Sequence, residues 1–489
     1  MFKLKNNLNK WDQILFLSIC CLNIVLIPFF FNNDTLIQFG LLIGSLFPLF
    51  FLLDKWLMPK FIIGPAVLIY LYHLFGYSIG PIFQHYYFQR ESFLLAGMIL
   101  AQKYAYLGLI IFLITYIITF SIVNIFQKKY FLLKINFLKS ENYKPYTFIL
   151  VLFVLSYILF GYLTEISRRI GGIGAADRGL FIQSIFYGFW YIQFICFFFL
   201  GYFVIKEEKK IWLIASLFML GIYIIYQITE GNRGPILLMI LSYATGIAWA
   251  GYSKLKIAFY GLSCILIVVL LSGPIYLYRN DTNLNQYRHG ILSRIAQFNN
   301  ATISFYTDKT NVKYIFEPFV VAVTALTVDR VMVLTPSEIP FSGFNGMEAL
   351  RNIYFPKFIN PNRLDINDGN KVAEIYGIPP GTKNTYFYVT AVGEGYRRFG
   401  WVGVVLSYAF SGVFFGACFS FFLKFKNSAV SLSMLILIFL HSPGAWAFTY
   451  NYGIYFFFYT VPKYFLAFFI IYQISKYIFK LLMHLKVRF

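Results

Sequence analysis

The chain has 489 residues, of which 59% are hydrophobic, 21% aromatic and only 12% charged. Soluble globular domains carry about 25% charged residues, so this composition, with a mean hydropathy of +0.67, excludes a water-soluble protein and describes an all-α polytopic integral membrane protein. The formal charge of +21 does not imply a nucleic-acid partner, because membrane topology by itself concentrates cations in inner loops.

The first apolar run, Ile14 to Phe31, follows Lys3, Lys5 and Lys10 and lacks a small-residue cleavage site, so it reads as a first span rather than a leader. Crossing the bilayer core takes roughly 20 apolar residues. Twelve runs qualify, near 13–31, 35–53, 61–80, 93–126, 147–163, 182–204, 211–228, 235–251, 257–278, 401–423, 428–445 and 454–478. The fourth is too long for one straight crossing and reads as an interfacial helix around Ser92 to Gln102 leading into a span. The chain thus divides into nine spans (1–278), a long outer loop (279–400) and three further spans (401–489). All five cysteines (Cys20, Cys21, Cys196, Cys264 and Cys418) lie in apolar runs, as buried small hydrophobes rather than a disulfide framework or metal ligands.

Lysines set the orientation. With a cytoplasmic N-terminus, the inner loops carry Lys55 and Lys60, then Lys128 to Lys144, Lys206 to Lys210, Lys254 and Lys256, Lys424 and Lys426, and the C-terminus adds Lys476, Lys480 and Lys486. Every inner loop obeys the positive-inside rule. The arginines go the other way: of fourteen, only Arg488 is assigned to the inner side. A guanidinium grips phosphate or carboxylate as a planar fork, where lysine is a hydrated point charge. The sorted arginines therefore point to an anionic ligand, although any one of them is equally explained by a local acid such as Glu165, Asp177, Glu230 or Asp281.

Three short outer segments stand out. EISRRIGGIGAADRG carries Arg168, Arg169 and Arg178 among glycines and reads equally as a flexible connector. TEGNRGP places Arg233 at a helix N-terminus, a position favourable to anions. In HSPGAWAFTYNYG, His441, Ser442 and Pro443 break the end of span eleven, where a lone His serves structure more often than catalysis. In the long loop, Ile291, Leu292, Ile295 and Phe298 recur at helical spacing, as do apolar residues from Ile315 to Leu334, so two amphipathic helices are predicted there. The second carries Glu317, Asp329 and Arg330 and should face a cavity rather than lipid. The Pro- and Asn-rich stretch from Tyr354 to Asn384 reads as a cap or lid.

No Walker element, dinucleotide fingerprint, nucleophile elbow or helical His pair is present, and DINDGN lacks the remaining ligands of a calcium loop. Neither metal nor cofactor is expected. What remains is chemistry that needs arginines, one base and a leaving group that departs once its charge is neutralised, such as a diphosphate.

GNRGP opening a span, the Phe355 to Asn362 stretch, and GEGYRRFGWVG (Gly393 to Gly403) entering the span after a long outer loop carry a family likeness. So does the spacing of Arg168 to Gly179 and Arg279 to Gly290, an arginine and a glycine separated by ten residues. The chain resembles the Wzy-type oligosaccharide repeat-unit polymerases of bacterial surface polysaccharides. The resemblance implies a helical lipid-linked-donor glycosyltransferase architecture (GT-C-like). The growing glycan on undecaprenyl diphosphate would be transferred onto an incoming lipid-linked repeat unit at the outer face of the cytoplasmic membrane. It implies Arg233, Arg279 and Arg288 as diphosphate ligands, with Arg168, Arg169 and Arg178 as helpers. Glu394 or His289 would be the general base, and Arg397 and Arg398 would orient Glu394 or hold phosphate. Glu394 reads nearly as well as a structural partner of those arginines. A chain-length regulator and a flippase of the same pathway are the implied partners. An O-antigen ligase acting on lipid A core or protein shares this pattern, and a lipid-linked oligosaccharide flippase is the rival of another class.

Overall fold

A computed structural model describes residues 14, 18–19, 35–61, 63–86, 94–129, 143–164, 189–232, 234–253, 257, 261, 266, 269–278, 291–308, 324–345, 372, 374–377, 390–441 and 450–484. Among them there is no strand, and the helices run in this order: α1 (Leu36–Gly44), α2 (Phe47–Leu57), α3 (Pro65–His73), a π-helical turn (Leu74–Ile79), α4 (Gly80–Tyr86), α5 (Leu95–Lys129), α6 (Tyr143–Thr164), α7 (Ile192–Lys206), α8 (Lys210–Thr229) and α9 (Gly234–Trp249). There follow α10 (Val269–Tyr278), α11 (Ile291–Thr307), α12 (Thr324–Leu334), α13 (Ala391–Lys424), α14 (Ala429–His441), α15 (Tyr450–Tyr455), a second π-helical turn (Phe456–Thr460) and α16 (Val461–His484).

Seven helical segments among the described residues are long and apolar enough to cross a membrane, and four shorter apolar helices accompany them. The protein is a helical membrane protein. Its exposed faces agree: Ile114, Ile118, Ile122 and Ile125 on α5, and Leu466, Ile470 and Ile474 on α16, form outward apolar rows that hydrocarbon tolerates and water does not. α14 is buried at every position, enclosed by the other helices rather than by lipid. α7, buried from Ile192 to Gly201, runs beside it. The expected first span, 13–31, lies almost wholly outside the described residues.

The fourth expected span differs from its reading. α5 is one continuous helix of 35 residues, about 52 Å at 1.5 Å per residue, with no interfacial segment split off at Gln102. Gln102 is buried and donates to the Leu36 carbonyl (3.2 Å) and the Tyr77 carbonyl (2.7 Å). The excess length is sheathed by protein. α12 lies against the N-terminal end of α5 so closely that a Cβ on Gly97 would collide with the Asp329 carbonyl, and the Asp329 carboxylate accepts the Leu94 N–H at 2.8 Å.

α5 also packs along α13, where Gly412 lets the backbones approach at Thr115 and the Phe112 carbonyl. Tyr408 of α13 hydrogen-bonds His73 Nε2 of α3 at 2.6 Å. The lysine-bearing loops meet at one end of this bundle. Lys144 pairs with Glu207, Lys424 donates to the Gln127 carbonyl, Tyr143 donates to the Asn427 carbonyl, and Lys60 lies within electrostatic reach of Lys206 and Lys426.

Candidate functional site

α13 begins at Ala391, so GEGYRRFG, at the end of the expected loop, is helical. Thr390 caps it: its Oγ1 accepts the Gly393 N–H at 3.4 Å, and the Tyr77 hydroxyl, brought in from the first π-helical turn, donates to the same oxygen. The helix then breaks. Phe399 leaves helical geometry and Gly400 takes φ +61° and ψ −146°, close to an extended positive-φ region that is nearly confined to glycine and costs other residues about 1–3 kcal/mol. Past the break the chain turns so sharply that Gly395 and Gly403 touch backbone to backbone, leaving no room for a Cβ on either. The glycines of this motif are therefore a corner.

Within the corner, Glu394 faces Arg397 and Arg398, one helical turn on. Arg397 donates Nε to Oε2 at 2.6 Å and Nη2 to Oε1 at 3.1 Å, and Arg398 donates Nε to Oε1 at 2.6 Å. All three residues are buried. A turn from far upstream closes over them: Ser342 and Gly343 donate their N–H groups to the Arg397 and Arg398 carbonyls. In return Arg398 Nη1 donates to the Gly343 and Asn345 carbonyls, both at 2.8 Å, and Arg397 Nη1 to Ser342 Oγ at 3.2 Å. Phe341 and Phe344 of this turn pack on Tyr396 and Phe399. Among the described residues the cluster carries two guanidiniums and one carboxylate. Arg398 Nη2 is buried and has no hydrogen-bond partner among the described residues.

This arrangement bears on the two readings of Glu394. Its oxygens accept three charge-assisted hydrogen bonds, and removing one partner from such a buried pair typically costs 3–5 kcal/mol. A carboxylate so engaged is equipped to hold two guanidiniums in place; that geometry favours the structural partner over the proton acceptor.

A second anchor lies beside TEGNRGP. Arg294, on α11 of the long loop, pairs with Glu230 at 2.7 Å and sits over the Tyr162 ring at 5.8 Å. Here an arginine has found a local acid. Arg330 of α12 instead donates to the Tyr376 and Gly377 carbonyls, both at 3.1 Å. Its neighbour Asp329 is pushed up to about 7 by burial, against the opposing pull of the Leu94 and Arg330 N–H bonds and the Arg330 charge. Burial likewise raises Tyr376, which shares a 2.7 Å hydrogen bond with Thr335 Oγ1 and feels the charges of Arg397 and Glu394.

Arg168, Arg169, Arg178, Arg233, Arg279, Arg288 and His289 lie outside the described residues, so of the expected site the structure brings together Glu394, Arg397 and Arg398. Sequence reasoning missed Ser342, Gly343, Asn345 and Tyr77. Only the Thr390 cap, a threonine three residues before Gly393 with an acid in the first turn, leaves a local signature. Among the described residues, no group of three His, Cys, Asp or Glu side chains has the geometry to hold a metal ion. No family model, curated protein or solved structure matches the chain.

Proposed function

We propose that this protein polymerises undecaprenyl-diphosphate-linked oligosaccharide repeat units by glycosyl transfer at the outer face of the bacterial cytoplasmic membrane. In this reading it has twelve spans, both termini in the cytoplasm and a GT-C-like architecture. One observation carries the reading: in the buried corner at Glu394, Arg397 and Arg398, Arg398 Nη2 has no hydrogen-bond partner among the described residues. A buried cation with a donor to spare is suited to an anionic ligand. The convergence of lysine-bearing loops at the opposite end of α13 favours placing the corner on the outer side.

In the proposed step, a sugar hydroxyl of the incoming repeat unit attacks the anomeric carbon of the lipid-linked donor glycan. The bond from that carbon to the diphosphate oxygen breaks, and the electron pair leaves with undecaprenyl diphosphate. Arg233, Arg279 and Arg288 bind the departing diphosphate with Arg168, Arg169 and Arg178 beside them, and Arg398, held with Arg397 by Glu394, gives its remaining Nη2 donor to the same phosphate. The hydroxyl proton goes to His289, since both oxygens of Glu394 are engaged.

The test uses purified protein in liposomes with a synthetic undecaprenyl-diphosphate repeat unit and no other acceptor, with products resolved as a ladder. The expected result is a ladder that disappears in a folded Arg279→Ala variant. Transfer only when lipid A core is supplied would replace the polymerase with a ligase. Passage of intact lipid-linked sugar across the bilayer without new linkages would replace the enzyme with a transporter.

A further inference from the structure

The segment HSPGAWAFTYNYG leads to a different part of the bundle, which the proposed reaction leaves unused. His441 ends α14 and is buried at 5% exposure. Its ring lies between Tyr191, at the start of α7 (4.0 Å between centroids), and Phe456 of the second π-helical turn (4.2 Å). His441 Nε2 has no hydrogen-bond partner among the described residues. Tyr464 of α16 accepts the Tyr191 N–H at 3.1 Å, and next to it stands Lys463.

The Lys463 ammonium lies over the faces of Tyr464 (4.8 Å) and Tyr459 (5.3 Å) and within electrostatic reach of His441. No carboxylate among the described residues is within salt-bridge distance of it. A lysine inside a candidate span is expensive to keep and marks function more often than packing. Aromatic faces attract a cation but do not neutralise it. An imidazole nitrogen in the same buried cluster has its own hydrogen bond to make. Both needs are met by one anion that brings several acceptor oxygens.

Connectivity places this cluster. Tyr191 follows the chain from EISRRIGGIGAADRG, while His441 opens HSPGAWAFTYNYG and Phe456 follows it, so the cluster sits where two segments assigned to the outer side join the bundle. We infer that Lys463 and His441, walled by Tyr191, Phe456 and Tyr464, form a phosphate-binding site separate from the corner at Glu394. Its ligand is a phosphate borne by a polyprenyl chain, which reaches a site between spans from within the bilayer. The lipid source rests on the reaction proposed above; the anion site does not.

Trp190 gives a local reporter, with its ring 4.9 Å from that of Tyr191. The full-length protein in zwitterionic nanodiscs is titrated with a short-chain polyprenyl monophosphate, with polyprenol and with inorganic phosphate, and the fluorescence change abolished by Trp190→Phe is the readout. Expected is saturable binding of the polyprenyl phosphate, weakened roughly tenfold or more in Lys463→Met and within about threefold of wild type in Lys463→Arg. Equal response to polyprenol, or wild-type affinity in Lys463→Met, overturns the site. Saturation by inorganic phosphate alone, lost in the same variant, upholds the anion site and makes its source soluble. Should Lys463→Met fail to fold, His441→Gln decides, with unchanged affinity counting against the site. Binding is read without turnover, so an absent polymer ladder sinks the polymerase and leaves this result standing.

Discussion

At one end of the bundle Lys144 and Glu207 pair at 2.7 Å with 34% and 22% of their side chains exposed, while at the other Arg398 and Glu394 pair at 2.6 Å with 0% and 1% exposed. The distances are alike and the environments are not. The lysine end is crowded with like charge, and Lys60 is pulled down first by burial and then by Lys426 and Lys206. Those lysines sit where a membrane protein needs cations near water. The arginine end binds its cations to a shared carboxylate and to the Gly343 and Asn345 carbonyls. A point charge suffices for topology; a fork of directed donors builds a shape.

If that contrast is correct, Glu394→Gln should produce the largest effect. It leaves two buried guanidiniums without their carboxylate, and stability should fall by about 3–5 kcal/mol, read as thermal unfolding in detergent. Retention of near-wild-type stability would show that the corner is not held by charge. Next comes Asp329, whose carboxyl is raised to about 7 in the folded protein from 3.8. The folded state then holds its proton where the unfolded chain has lost it. The contribution is fully present below pH ~4, declines as pH rises through about 7 and is flat above, with a ceiling of about 4 kcal/mol. Asp329→Asn should flatten the pH dependence of unfolding across that window; an unchanged profile removes Asp329 as its source.

Gly400→Ala should cost about 1–3 kcal/mol through its positive φ, and it should reduce polymer formation more than it reduces stability if the corner carries the reaction. Equal losses in the two would make the corner a support only. Smallest of all, Glu207→Gln at the lysine end should shift stability by about 1 kcal/mol or less, with no loss of product. A large effect there would erase the distinction between the two ends.

The helical membrane class was legible in composition, because a bilayer imposes its demand on every span alike. The Glu394 clamp was legible in part. An acid followed at three and four residues by arginines is a helical pattern, but the stretch falls at the end of the expected outer loop 279–400. Gly395 is a glycine of close contact and Gly400 one of positive φ, which only the fold distinguishes. The turn at Ser342 to Asn345 was not legible, since nothing local in FSGFNG announces a partner more than fifty residues downstream. Tyr77, whose hydroxyl reaches Thr390 from the other half of the chain, was hidden for the same reason.

The second π-helical turn has a consequence in helical phase. Phe456 and Tyr464 are eight residues apart, and at about 100° per residue an unbroken α-helix would leave them about 80° out of line. A π-helical turn absorbs one extra residue without advancing the face, which brings the two within about 20° and turns both toward Tyr191 and His441. Closing this turn to ordinary α-helical pitch at unchanged length would swing Lys463 and Tyr464 around α16 together by about 100°, so the π-helical pitch of Phe456–Thr460 sets which way the lysine points.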